Sequence, residues 1–301
     1  MNIPADSAFF AYFPSCVLHA TGPDAPAFLQ GQFTNDLGKM TTGGSAYGLW
    51  LDRRGRVVAD SHVVRGAAGG DFFLVSQRSD PATLAAHLRA HIIADEVEVG
   101  DETGAWRGLA LLGSGTGAWL SSARRPGFFF PGRRSRGESF EWLVPAADWA
   151  EAERSVSGLR ALDASTLELL RIRAAIPSVP SDIGPGDIPN EGGLDTDAVS
   201  YSKGCYLGQE VMARVKALGR VRRRLVRVRG EGVPPPLPAA LWRGEGRAGD
   251  LRSAERDGEG YEGLALVAVD AAAAGARFSL GRGAAPSLAQ LDNPWGPPDC
   301  V

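Results

Sequence analysis

The chain has 301 residues, 44% of them hydrophobic and 22% charged, enough to bury a full core and to form two or three domains. A net charge of −3 gives no overall bias toward nucleic acid or membrane, and no apolar run reaches the length of a membrane span. Cys16, Cys205 and Cys300 lie far apart without CxxC or Cys/His zinc spacing. The apolar N-terminus lacks a basic n-region and is broken by Pro4 and Pro14, so the chain reads as cytoplasmic with reduced thiols.

Residues 24–37 (DAPAFLQGQFTNDL) offer Asp24 as an N-cap, Pro26 in the first turn, and Phe28, Leu29 and Phe33 on one face. They predict a short helix running into a turn at Asn35-Asp36. Residues 47–64 read as a hairpin about Asp52-Arg53-Arg54-Gly55. A strand at 72–76, a helix from Asp80-Pro81 to Ala94 and a strand at 97–99 follow, which suggests a small sheet with helices on one face.

Three features in this half could suggest function. His87 and His91 share a helix face as a zinc pair would, but no third ligand is signposted, so they read as a solvated face. Gly113 to Ala118 satisfies G-x-G-x-x-A, yet Pro126, Pro131 and the glycines and arginines beyond it argue against a dinucleotide fold; it reads as a strand-to-helix turn. In residues 124–137 three phenylalanines stand among arginines, as base-stacking residues do, but Phe128 to Phe130 fit a short strand better.

A strand at 140–144 and a helix at 146–159 come next. Ser165-Thr166-Leu167-Glu168 forms a capping box for a helix through Ala175, stopped by Pro177. Residues 178–202 then form a long irregular loop carrying Asp182, Asp187, Glu191, Asp195 and Asp197 and no lysine or arginine. From Lys203 to Arg229 the charge reverses, with Glu210 the sole acid. An acidic lip beside a basic wall would suit a polar anionic ligand. Between the two, Cys205 stands next to Gly204 and Tyr206, two residues from Lys203 and just ahead of a helix beginning near Gln209. A nearby lysine and a helix N-terminus both favour thiolate over thiol. Residues 221–283 alternate short apolar runs with glycines and read as a small β-barrel; residues 284–301 read as a proline-rich tail. Arg222, Arg224, Arg227 and Arg229 alternate along a strand and read as the barrel's solvated face.

Lys203-Gly204-Cys205-Tyr206-Leu207-Gly208-Gln209-Glu210 resembles the K-G-C-Y-x-G-Q-E signature of the YgfZ-type family, folate-binding proteins related to the glycine-cleavage T-protein, an aminomethyltransferase. Residues 28–36 resemble the family's F-L-Q-G-x-x-T-N-D stretch, and the L-R-I-R-x-x-I-P run at 170–177 resembles the helix preceding its long loop. The resemblance implies an α+β, T-protein-like multi-domain architecture with ferredoxin-like α/β subdomains around a central pocket and a small C-terminal β-barrel. On that plan residues 1–218 form the folate-binding region, two interwoven subdomains with the second at roughly 45–145. Residues 219–283 form the barrel and 284–301 the tail.

The resemblance further implies that tetrahydrofolate or a derivative binds, with Glu191 holding the pterin edge, whose paired N–H donors suit a carboxylate. Tyr206, Gln209, Glu210, Gln30, Asp60 and Arg214 are the other cofactor-binding candidates, and Cys205 and Lys203 would carry the chemistry, with the thiol at the mouth of a pterin-sized cavity. No metal centre of the chain's own is expected, although Cys205 could ligate an iron–sulfur cluster transiently. The implied partners are folate and iron–sulfur client or assembly proteins, not tRNA directly and not membrane. Ala59-Asp60 stands where T-protein has paired aspartates, and Ser76-Gln77 replaces its asparagine. These departures favour an accessory protein in iron–sulfur cluster assembly or repair, and so in tRNA modification. A folate-dependent one-carbon transferase is the alternative.

Overall fold

The computed structural model describes residues 7–291, except 68, 123 and 274. Two five-stranded sheets and a six-stranded sheet carry the chain. The first sheet runs in the order Ser45–Leu51, Val57–Arg65, Phe72–Ser76, Cys16–Thr21, Glu98–Asp101, antiparallel throughout. The second runs Arg160–Ala161, Ala8–Tyr12, Trp106–Leu112, Ser139–Pro145, Phe128–Pro131, with only its first pair parallel. The strands Ala8–Tyr12 and Cys16–Thr21, adjacent in the chain, therefore belong to different sheets. Neither was legible in the sequence, because FFAYF and CVLHA, on either side of Pro14-Ser15, are apolar runs without period-two alternation.

Helices Ala25–Gln32 and Pro81–Arg89 cover one face of the first sheet, where Phe28, Leu29, Leu84 and Leu88 pack on Leu18, Trp50 and Leu74. Its other face meets the second sheet through Val17, Val64, Phe73 and Val75 against Trp106, Phe130 and Leu143. Each fully buried side chain of this size contributes about 1.5–3 kcal/mol. The hairpin forms at the expected place, with Asp52 Oδ1 accepting from the Arg54 and Arg56 amides, 2.8 and 2.9 Å, inside the turn.

Several local expectations change in three dimensions. The helix Ala164–Arg173 is capped not by Ser165 but by Asp163, whose carboxylate accepts from the Thr166 amide at 2.7 Å; Glu168 instead pairs with Arg171 and Arg78. Asp24 makes no cap bond and accepts from the Glu96 amide at 2.8 Å. Gly113–Thr116 is, as expected, a strand-to-helix turn, and Glu138 accepts there from the amides of Gly115 and Gly117, both at 2.9 Å. His87 is half-buried rather than fully solvated: burial lowers its pKa to about 4, and its Nε2 is buried without a partner. Among the described residues no group of three His, Cys, Asp or Glu could hold a metal ion.

The third sheet runs Ala239–Arg243, Gly246–Asp257, Gly260–Ala268, Arg223–Glu231, Leu288–Gln290, Arg277–Phe278. A bridge between Trp242 and Ser279 brings its ends together, giving a nearly closed barrel. Strand Leu288–Gln290 lies in the stretch expected to be tail. Pairing with Arg223–Glu231 draws it into the barrel, because Leu288 fills the apolar interior. Residues 292–301 of that stretch, with Cys300, lie outside the described residues.

Candidate functional site

The long loop is neither open nor an acidic lip. Val179, Ile183, Leu194, Ala198 and Val199 are buried with Leu49, Leu51, Ile172, Leu225 and Leu266, so the loop forms the core that joins the sheets to the barrel. Its carboxylates meet arginines. Asp182, fully buried, accepts from Arg171 Nη1 at 2.7 Å and from Ser253 Oγ at 2.6 Å; Asp187 pairs with Arg223 at 3.0 Å, and Asp197 pairs with Arg133. From the basic run it is Arg223 that meets the loop's acids; Arg171 and Arg133 come from outside it. Glu191, 5% exposed, receives Arg223 Nε on Oε1 at 2.9 Å and Nη2 on Oε2 at 2.7 Å, with the Ile188 amide at 3.1 Å. The bidentate face expected to hold a pterin is occupied by a guanidinium. On the barrel, Arg227 likewise pairs with Glu262 at 2.9 Å rather than standing in solvent.

After this loop the chain docks onto the end of helix Ala25–Gln32. The Ser200 amide donates to Thr34 O at 3.0 Å and the Leu207 amide to Gly31 O at 3.0 Å. Thr34 Oγ1 donates to Ala198 O at 2.6 Å, and Asn35 Nδ2 donates to Tyr47 O at 2.8 Å and Asp197 O at 3.0 Å. Lys203 is buried, and its ammonium donates to Gln30 O, Phe33 O and Asn35 O at 2.7, 2.6 and 2.9 Å. Burial pulls Lys203 down to about 8, opposed by Asp36. Its three hydrogens are all committed to carbonyls, so none is left over for the neighbouring thiol in this arrangement. The stretches 28–36 and 203–210, singled out separately in the sequence, are two halves of one joint.

Cys205 stands exposed on this joint, whereas Cys16 is fully buried. Tyr206 turns inward; its hydroxyl is buried without a partner and burial pushes it up to about 12. Gly208, at φ +84°, makes the turn into helix Gln209–Leu218; a Cβ there would stand 2.8 Å from Asp52 O. Gln209 opens that helix, its amide donating to Tyr206 O at 3.1 Å. Glu210 and Arg214 lie on the outer face and pair with each other at 3.0 Å, in solvent. The Gln30 side chain bonds Asp36 Oδ1 and the Leu37 amide, at 2.9 and 2.8 Å, bracing the turn.

Asp60 lies elsewhere, in a narrow cleft with about 30 Å³ of enclosed space. Strand alternation places Asp60 and His62 on one side of Val57–Arg65, and both line the cleft with Gln77, Arg78, Arg133 and Arg171. Asp60 accepts from Tyr47 Oη at 2.9 Å and from Ser76 Oγ and Ser79 Oγ, both at 2.8 Å; burial raises its pKa, with the hydroxyls pulling the other way. Burial, followed by the charges of Arg133 and Arg134, holds His62 down to about 3 and so neutral at pH 7. Arg133 stacks 4.0 Å above the Tyr47 ring. Sequence reasoning passed over His62 and Arg133. The Asp60–His62 spacing was a readable signal; nothing local marks Arg133, just past a strand of the second sheet, as facing Asp60 in the first. The cleft offers one carboxylate, a neutral imidazole and several guanidiniums, a set suited to a polar ligand with an anionic end. Neither Glu191 nor any residue of the cysteine segment lines it, so thiol and cleft are separate features rather than a mouth and its cavity.

A family model described as the GCVT N-terminal domain matches residues 17–125. The chain is 28% identical over 303 residues to a human protein named iron-sulfur cluster assembly factor IBA57, mitochondrial, covering 93% of this chain and 83% of that one. It is 29% identical to a protein of Edwardsiella ictaluri named tRNA-modifying protein YgfZ, covering 84% and 81%. Among solved structures, the glycine cleavage system aminomethyltransferase T from Bartonella henselae superposes with a TM-score of 0.78 at 21% identity, over 97% of this chain and 87% of that one, a likeness of fold. Among the described residues no helix is long and apolar enough to cross a membrane.

Proposed function

Because the chain belongs to the YgfZ-type family, related to the glycine-cleavage T-protein, we propose that it is a folate-binding accessory protein supporting iron–sulfur cluster assembly or repair, and through it tRNA modification by cluster enzymes. The observation that carries this reading is the presentation of Cys205. Among the described cysteines it alone is exposed, on a loop held by the buried Lys203 and Tyr206. An exposed free thiol suits a reducing compartment such as the cytoplasm, and a thiolate is the usual ligand of iron–sulfur iron. One cysteine cannot hold a cluster alone. Its role on this reading is therefore transient, completed by client or assembly proteins.

Of the two places the cleft is the better candidate, because Glu191 faces Arg223, but its enclosed space of about 30 Å³ must widen to admit a pterin. There Asp60 would exchange a hydroxyl of Tyr47, Ser76 or Ser79 for a pterin edge, and Arg133 and Arg78, paired with Asp197 and Glu168, would turn to the tail carboxylates. Glu191 could join them only by giving up Arg223. Bound tetrahydrofolate would supply a one-carbon carrier; this chain's residues would bind and orient it. Calorimetric titration with tetrahydrofolate, on wild type and Asp60→Asn, tests the binding. Anaerobic iron–sulfur reconstitution with Cys205→Ala tests the thiol. An absence of binding heat, or unimpaired cluster-enzyme activity in cells carrying Cys205→Ala, would refute the corresponding half.

A one-carbon transferase is the second reading, favoured by the raised pKa of Asp60 within the cleft. Against it, Ala59 leaves Asp60 without an adjacent carboxylate. Formaldehyde or methylene-tetrahydrofolate released from a glycine- or sarcosine-type donor would decide for the transferase.

A further inference from the structure

The geometry points to Lys203 as the positioning residue of the Cys205 thiol, a cation that caps a distant helix and thereby fixes the loop that presents the sulfur. A helix leaves its last four carbonyls without intrahelical partners, and a cation is favoured there. At the end of Ala25–Gln32 that cation comes from far along the chain. Lys203 Nζ takes Gln30 O together with Phe33 O and Asn35 O just beyond, and the Leu207 amide takes Gly31 O. The cysteine loop is therefore the helix's C-terminal cap. Its anchors fall two residues before and two residues after Cys205, and the buried Tyr206 ring is a third, with the Lys203 ammonium 5.3 Å from its centroid. Only Gly204 and Cys205 remain outside.

Three acceptors converging on one point suit a compact ammonium with three donors and not the planar fork of arginine. The inference rests on the proposed role of Cys205, but the clamp can be tested independently of it.

The experiment is hydrogen exchange followed by mass spectrometry on full-length wild type, Lys203→Met, Lys203→Arg and Cys205→Ala, with cluster-enzyme activity measured in cells carrying each. Lys203→Met should raise exchange in peptides spanning 30–36 and 200–208 by about tenfold or more while the barrel stays protected, and should lower the activity. Arginine should not restore either. Should Lys203→Met fail to fold, Lys203→Gln, which keeps a polar end but cannot reach three carbonyls, reads the same exchange. Unchanged exchange in both segments would overturn the clamp and leave the proposed function standing. Raised exchange with undiminished activity, where Cys205→Ala abolishes it, would overturn the positioning role. An inert Cys205→Ala would overturn the functional reading and leave the clamp intact.

Discussion

Arg223 holds Glu191 by both oxygens, Nε on Oε1 at 2.9 Å and Nη2 on Oε2 at 2.7 Å, and so fastens the long loop to the first barrel strand. Glu191 is buried and Arg223 is 36% exposed, which makes the two ends of the pair unequal. Arg223→Met strips a buried carboxylate and should cost about 3 kcal/mol, the low end for breaking a buried pair, because the arginine is partly solvated. Glu191→Ala frees an arginine that can reach water and should cost less. Urea denaturation of the two variants checks the order. If Glu191 nonetheless contacts folate, Glu191→Ala should also weaken tetrahydrofolate binding by about 1.5–3 kcal/mol, the range for hydrogen bonds to charged groups. Superimposable calorimetric titrations of the variant and the wild type would remove it from the binding site.

Asp182 has no exposed surface and binds Arg171, Ser253 and the Ser178 amide at once, tying helix, loop and barrel together. Asp182→Ala should cost about 3–5 kcal/mol, read as a lowered thermal midpoint with loss of cooperativity between barrel and sheets. A shift of a degree or less would show that the network is incidental.

The two described cysteines should separate cleanly in reactivity. Burial raises the Cys16 thiol to about 12 and removes it from solvent, whereas Cys205 is exposed. Under native conditions at pH 8, peptide mapping after iodoacetamide should find Cys205 modified at least ~100-fold faster than Cys16. Denaturant should abolish the difference.

His62 should make the fold acid-sensitive. Its pKa in the folded chain is about 3, below the ordinary 6.5, so the unfolded chain binds the proton more readily. The stability it confers is complete above about 6.5 and is lost as pH falls toward 3. His62→Phe, which keeps the ring against Tyr47 and Phe130, should flatten the decline between pH 6.5 and 4 in urea denaturation. A slope equal to wild type would place the sensitivity elsewhere.

Much of this molecule follows from local pattern. The hairpin about Gly55, the helix opened by Asp80 and Pro81 and the glycine-punctuated barrel each depend on residues within a few positions of one another, as does the helix after Gly208. The joint between 28–36 and 203–210 was visible only as two separate motifs. Its bonds run to backbone carbonyls, and a carbonyl has no identity in a sequence.

The sequence by itself determined the family signature, the alternation of elements and the presence of a cysteine outside any zinc pattern. Only the tertiary structure decided which charges meet. It paired the loop's Asp182 with Arg171 of the preceding helix and its Asp187 and Glu191 with Arg223 of the barrel, and it committed Lys203 to a helix end rather than to the thiol. The reason is physical. A buried charge must find a partner or lose its proton, and the partner is supplied by whichever element the fold brings close, at any distance along the chain.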